Sequence, residues 1–478
     1  MLIVIGIYWF YPKSKPAGLS EIKTIAILPF EDLSESQTEK YLGVSLADAL
    51  ANKFSELKGL TVRPTRSVLK YAESREDLVK IGRELQVDAV LDGRISHVGE
   101  RIRISVQLIC TSDNATIWTG NFDDQFTNFF AVQDSISQKV VQRLALQINN
   151  KEREKFNKHG TENAEAYQDY LRGRYFWNKR TGENLQKAIT NFEQATQKDP
   201  NFALAFAGLA DCYILLPEYY ASPTGEAFPK AKAAINRALE LDDQSAEVYT
   251  ALAYSQAFYD WNFADAENSF KRAIELNPNY ATAHQWYSEF LFNRGRIDES
   301  FSHIERALQI DPTSMIIMTE IAANYYYDGK YEKAVEASKK VIETDPNFSF
   351  GYFYLGFSYE HLGNYAEASE NFAKTMTLNG EPPECVEEVR EAFRKNGMKG
   401  WWEKRREQFE KRPHLKFAPA FSNAIVYARV GDKEKALEWL NKSYEQRERW
   451  MVGLKYAVDL DSLREEPRFQ DLLRRMGY

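Results

Sequence analysis

The pentapeptides LNPNY (276–280), IDPTS (310–314) and TDPNF (344–348) set Pro278, Pro312 and Pro346 at a constant spacing of 34 residues. Taking each proline as position 32 of a unit aligns what lies around it. Position 27 is Ala273, Ala307 and Val341, position 24 is Phe270, Ile304 and Ser338, and position 20 is Ala266, Ser300 and Ala334. Position 15 is Gly295, Gly329 and Gly363, where one helix must end in a permissive backbone. One more step places Tyr352, Leu355, Gly356, Tyr359, Ala368 and Phe372 at the same offsets. Going backward, KDPNF with Pro200 closes a unit that carries Ala188, Phe192 and Ala195. The next unit holds Phe206, Leu209, Ala210 and Tyr213, and resumes with Ala231, Ile235 and Ala238 after an insertion within LPEYYASPTGEAF (216–228). Going forward, Ala424, Tyr427, Gly431, Ala436 and Leu440 mark a seventh unit. This reading places a repeat array over 164–381, an irregular helical linker over 382–416, and a last repeat with capping helices over 417–478.

A two-helix unit of about 34 residues cannot bury its own apolar face, so stacked neighbours must supply the core. Small residues at fixed offsets let helices approach closely, and large ones fill the gaps between them. This is the pattern of tetratricopeptide repeats, which the array resembles, and the resemblance implies an all-α superhelix with a concave face. It also implies that positions 2, 5, 9, 12 and 13 of each first helix point into the concavity. Read across, the candidate peptide-binding groove is Tyr254, Phe258, Gln285, Phe292, Tyr326, Tyr327, Phe353 and Phe357, with Glu289, Thr319 and Phe350 beside them. Apolar stripes on a solvent face mark interaction surfaces. The competing reading is a tight superhelix, or a groove filled by 384–412 or by the chain's own tail. The Lys and Asn clamp by which the best-known grooves of this family hold a terminal carboxylate is absent. Its positions read Gln285 and Glu289, Thr319 and Ala323, Phe353 and Phe357.

Upstream, residues 20–155 read as a small α/β domain. The run 21–30 is an Ile-rich buried strand, and Val44, Leu46, Ala47, Leu50, Ala51 and Phe54 share one helical face. A second helix is expected over 77–85. Strict alternation at Ile102, Ile104, Val106 and Leu108 predicts a half-wet antiparallel strand in a meander with 89–97 and 117–122. A helix over 129–148 closes the domain. The phrases IAILPFEDLS (25–34), YLGVSLADALANKFSEL (41–57), IGRELQVDAVLDGRI (81–95) and FFAVQDSISQKV (129–140) resemble the bacterial TolB amino-terminal and FlgO-like families. In those proteins such a domain commonly follows a membrane helix and precedes tetratricopeptide repeats. The part before the membrane helix is often a DNA-binding domain, a serine/threonine kinase or a nucleotide cyclase.

Residues 1–16 contain LIVIGIYWFY (2–11), half of the roughly 20 apolar residues a spanning helix needs. It reads as the interfacial end of a single membrane anchor, or as an apolar tail packed on the first domain. The anchor reading predicts an inner-membrane location with the bulk in the periplasm; the alternative is cytoplasmic. Over the 478 residues the formal net charge is -8, which argues against nucleic-acid binding through this chain. Three cysteines make no disulfide scaffold, and the six histidines are scattered singly. No phosphate-binding loop, dinucleotide fingerprint, nucleophile elbow or zinc-binding motif occurs, so neither a cofactor nor a metal is expected. His284 and His303 read as structural, and Glu–Lys alternation on the helices as ordinary surface pairing.

Two functions follow. One is a non-catalytic protein–protein interaction module, the membrane-tethered sensory or scaffolding part of a bacterial signalling protein, with a protein or peptide partner in the groove. The other is a truncated transcriptional regulator, kinase or adenylate cyclase whose output domain is missing from this chain. Neither reading specifies an oligomeric state.

Overall fold

A computed structural model describes residues 22–33, 41–72, 77–98, 101–125, 129–144, 160–219, 221–411 and 419–478, with single positions between 145 and 160. The N-terminal unit is a mixed sheet in the order β3-β1-β4-β5-β6, with β2 also pairing β4. Its strands are β1 (Thr24–Ile27), β2 (Glu31–Asp32), β3 (Thr61–Val62), β4 (Ala89–Val98), β5 (Arg101–Cys110) and β6 (Thr116–Gln125). β1 runs parallel to β3 and β4 in the middle of the sheet, so Ile25, Ala26 and Ile27 are all buried and the sequence cannot alternate there. β5 does alternate. Ile102, Ile104 and Leu108 go inward, while Arg101 and Arg103 face solvent and share Asp123 across the strand, at 2.6 and 3.0 Å. Helices α1 (Tyr41–Ser55), α2 (Thr65–Val68), α3 (Leu78–Glu84) and α4 (Phe129–Arg143) surround the sheet. Asp77 caps α3 by accepting from the Val79 amide at 2.9 Å. The last helix stops at Arg143, short of the expected residue 148.

The 34-residue spacing resolves into antiparallel helix pairs. They are α5 (Ala164–Asn178) with α6 (Gly182–Lys198), α7 (Ala203–Leu215) with α8 (Thr224–Leu241), and α9 (Ala246–Ser255) with α10 (Phe263–Leu276). The array continues through α11 (Ala281–Asn293), α12 (Ile297–Ile310), α13 (Met315–Tyr327), α14 (Tyr331–Thr344), α15 (Ser349–His361) and α16 (Tyr365–Leu378). Ala266, Ala273, Ser300, Ala307, Ala334, Val341 and Ala368 are completely buried at the offsets where the sequence places small residues. Unit three departs from the pattern. It has Trp261 where its neighbours have Gly295, Gly329 and Gly363, yet Trp261 adopts the same left-handed backbone (φ 58°), after a π-turn over Gln256–Asp260. Its ring packs 4.9 Å from Tyr444 and under the Arg447 guanidinium, contacts that offset the roughly 1–2 kcal/mol such a backbone costs a non-glycine residue.

The stretch expected as an irregular linker holds α17 (Pro383–Lys411), bent at Asn396 and Gly397. A last pair, α18 (Ala420–Arg429) and α19 (Lys433–Glu445), precedes two 3₁₀ runs (Arg449–Tyr456, Val458–Leu463) and α20 (Pro467–Arg475). The inner-membrane location expected from the N-terminal segment is corrected. Among the described residues no helix is long and apolar enough to cross a membrane, and residues 1–16 lie outside them.

The two parts of the chain are joined through buried polar contacts. Arg174 of α5 donates to Asp48 of α1 at 2.8 Å, and Ser45 donates to the Leu171 carbonyl at 3.0 Å. The loop after β3 reaches the turns that carry the repeat prolines. Arg63 donates to the carbonyls of Gln309 (2.9 Å), Ile310 (2.8 Å), Leu85 (2.7 Å) and Gln86 (2.6 Å), while Ser67 and Arg66 bind the fully buried Asp311 at 2.6 and 3.0 Å. Arg63→Ala leaves four carbonyls without their donor, and we expect a loss of about 2–4 kcal/mol by thermal or denaturant melting. A melt equal to that of the unsubstituted chain contradicts the joint.

Candidate functional site

The stacked pairs curve until the last units meet the third and fourth. Arg447 donates to the Tyr259 carbonyl at 2.8 Å, and the Tyr478 hydroxyl donates to the Asn293 carbonyl at 3.3 Å. The open groove expected from the repeats is therefore partly closed by the chain's own C-terminal segment. What it encloses is a cavity of about 1520 Å³. From unit three onward its array wall is built by first helices and the turns before them: Tyr254 of α9, Gln285, Glu289 and Phe292 of α11, Thr319, Glu320 and Tyr327 of α13, and Phe350 and Tyr354 of α15.

Four of the eight groove residues expected from sequence, Tyr254, Gln285, Phe292 and Tyr327, line the cavity. The other four do not. Phe258 is buried against Tyr254 at 4.5 Å. Tyr326 is buried and donates to Asp459 at 3.0 Å. Phe357 is buried between Phe372 (4.8 Å) and Trp402 (6.1 Å), and Phe353 is half-buried against Phe357 at 4.8 Å. For Phe357 the physical reason is α17. Its Trp401 and Trp402 pack on the sixth unit where the concave face would otherwise be open, and Trp402 Nε1 donates to Glu360 at 2.8 Å.

An ion cluster that the repeat spacing gives no sign of closes the other side. Arg449, from the 3₁₀ run after α19, donates to Glu218 of the unit-two insertion at 2.6 Å and to Glu289 of α11. The Tyr254 hydroxyl donates to the other Glu218 oxygen at 3.2 Å. Burial opposes the Arg449 charge, but the two carboxylates reverse that and hold it firmly protonated. Burial also pushes the Glu289 and Glu320 carboxyls up, with Glu218 adding to the cost of charging Glu289 and Glu289 to that of charging Glu320. Glu320 Oε1 and Thr319 Oγ1 are buried in this wall without a hydrogen-bond partner among the described residues. Glu218 had one visible signal, its place in the only insertion that breaks the period. Arg449 had none.

The two histidines of the fourth unit bind each other and the backbone. His284 and His303 meet through their Nδ1 atoms at 3.0 Å, and His284 Nε2 contacts the Pro278 carbonyl at 3.1 Å. Nε2 must then donate, which leaves His284 Nδ1 to accept from His303. Burial and the second ring push His284 down to about 4, so the pair is neutral at physiological pH. No group of three or more metal-ligating side chains occurs among the described residues.

Comparison with known proteins identifies the two parts separately. A family model described as HilA/YgeH-like transcriptional regulator, second domain, matches residues 21–139. Three tetratricopeptide repeat models match 256–314, 317–348 and 337–369, so the array carries tetratricopeptide repeats. The chain is 28% identical over 195 residues to a putative adenylate cyclase 3 of Rhizobium meliloti, covering 41% of this chain and 33% of that protein. It is 24% identical over 319 residues to the transcriptional regulator HilA of Salmonella typhimurium, covering 66% of this chain and 56% of that protein. The chain thus spans a third to just over half of these relatives. Among solved structures it is similar to PilW, a type IV pilus biogenesis factor, at 18% identity and a TM-score of 0.38, covering 46% of this chain and 96% of PilW.

Replacing Arg449 by Met leaves Glu218 and Glu289 facing one another in a partly buried site, and we expect a loss of about 1–3 kcal/mol at pH 7.5. Carboxyls whose folded pKa is raised favour the folded state below their unfolded pKa and lose that advantage as pH rises through the folded value. The gap between Arg449→Met and the unsubstituted chain should therefore narrow from pH 7.5 toward pH 5. Parallel pH profiles for the two proteins contradict the cluster.

Proposed function

We propose that this chain is a non-catalytic interaction part of a bacterial signalling protein and that it holds a peptide segment of its partner in the concave cavity. The observation that carries the reading is the cavity itself. At about 1520 Å³ it exceeds the roughly 300–1,000 Å³ of ordinary small-molecule sites, and an extended peptide fits such a space better. Its wall combines aromatic faces with the unpartnered Thr319 and Glu320 oxygens, groups that a peptide backbone can pair. Its rim exposes Ile316 and Phe350 to 48% and 47%, unusual for large apolar side chains in an otherwise well-buried array.

The two relatives support a second reading of the same module. Both the regulator and the cyclase are output proteins, and the matched regions fit a sensory half whose output domain is a separate part of the whole protein. Under this reading peptide binding in the cavity is the input that such an output domain reads. The resemblance of the α/β domain to TolB amino-terminal and FlgO-like domains belongs to this proposal too.

A peptide selected by display against the full chain provides the probe. Phe350→Ala and Ile316→Ala remove exposed rim groups, so each should weaken its binding by about fivefold or more, as expected of apolar anchors at about 1–2 kcal/mol each. Melting should shift by no more than a few degrees. Selected peptides that bind both variants as tightly as the unsubstituted chain contradict the reading.

A further inference from the structure

Two arginines line the cavity, and one of them, Arg180, has no carboxylate at ion-pair distance among the described residues. Arg66, from α2 of the α/β domain, and Arg180, from the turn between α5 and α6, both line it, together with Tyr219. Arg66 uses Nε on Asp311 at 3.0 Å, while its Nη2 is buried without a hydrogen-bond partner among the described residues. Arg180 stacks its guanidinium 3.8 Å from the centre of the Trp177 ring, whose other cation neighbour is Arg174 at 4.4 Å. Arg174 is neutralised by Asp48; among the described residues no carboxylate lies within ion-pair distance of Arg180.

The backbone holds this arrangement at a cost. Arg180 lies in the left-handed region (φ 50°), a conformation that costs a non-glycine residue free energy and that recurs where a side chain has to be aimed. Burial and the neighbouring Arg66 charge push Arg180 down to about 10, and the buried Asp211 carboxylate offsets only part of that. It is still cationic at physiological pH. The same two cations act on the Tyr219 phenol, which is 38% exposed at the cavity edge.

We propose that Arg66 and Arg180 form an oxyanion site at the domain-facing end of the cavity, and that its occupant is the carboxylate of an acidic residue in the bound peptide. This deepens the peptide-binding reading and rests on it. Guanidinium groups present planar forks that match a carboxylate's two oxygens, and both have N–H groups to give. The chain as a whole carries a formal charge of -8, so attraction of an acidic peptide is not a property of its general surface. The site also ties ligand to fold, because Arg66 belongs to the α/β domain and Arg180 to the array.

Titration calorimetry on the full chain tests this with three probes: a capped tetraglutamate peptide, its tetraglutamine counterpart and inorganic phosphate. Tetraglutamate should bind at least tenfold more tightly than tetraglutamine and than phosphate. Arg180→Gln should weaken tetraglutamate at least tenfold, and Arg180→Lys by less than threefold. If tetraglutamate binds no better than tetraglutamine, the oxyanion site is wrong, and that comparison needs no variant to fold. Tetraglutamate binding undiminished in Arg180→Gln also overturns the assignment. Phosphate binding more tightly than tetraglutamate overturns the peptide as the carrier of the anion. Failure of the peptide reading itself shows separately, as display-selected peptides insensitive to the rim substitutions Phe350→Ala and Ile316→Ala.

Discussion

The close approach of neighbouring helices at Ala266, Ala273, Ser300, Ala307, Ala334 and Ala368 is the constraint on which the rest of the molecule depends. Each of these side chains is fully buried, so each fixes a helix–helix distance with no room for a larger group. Repeated at a constant period, the same small offset per unit accumulates into curvature. Curvature brings the last units against the third and fourth, where Trp261 meets Tyr444 and Arg449 meets Glu218 and Glu289. The cavity is what this closure leaves in the middle. Its chemistry is therefore set by residues far apart in sequence and held by none of them alone.

The α/β domain is part of the same construction rather than a separate bead. Arg63 of the loop after β3 and Arg66 and Ser67 of α2 bind the turn after α12, and Asp311, beside the proline of IDPTS, is the fully buried acceptor. A residue selected at one level for turning the chain is thus used at another to seat a domain. This joint also brings Arg66 to the cavity, where it meets Arg180.

The sequence made the periodic features legible, because they are repeated local decisions. The small residues, the turn glycines and the alternation of β5 each follow from a rule that acts within one element or between neighbours. Four groove residues were legible for the same reason, since Tyr254, Gln285, Phe292 and Tyr327 sit on first helices that obey the repeat geometry. Phe258, Tyr326 and Phe357 were not, because their burial is decided by the π-turn after α9, by Asp459 and by Trp402, none of which the period encodes. Trp261 shows the same limit from the other side: a tryptophan at a glycine position is intelligible only once Tyr444 and Arg447 are seen beside it. The Arg449 cluster and the Arg66–Arg180 pair arise from closure and docking, and no local pattern announces either.

The central claim is that the concave cavity is the surface on which this protein meets its partner. Blocking it from inside tests that most directly. Cys110, Cys212 and Cys385 are buried, so a single cysteine introduced at the exposed cavity rim, Ile316→Cys, can be labelled with a bulky maleimide. A matching Glu336→Cys on α14, which contributes nothing to the cavity wall, serves as the control. The account predicts that the rim label abolishes binding of a display-selected peptide while the α14 label leaves its affinity unchanged. Equal binding to both labelled proteins would place the partner elsewhere and contradict the account.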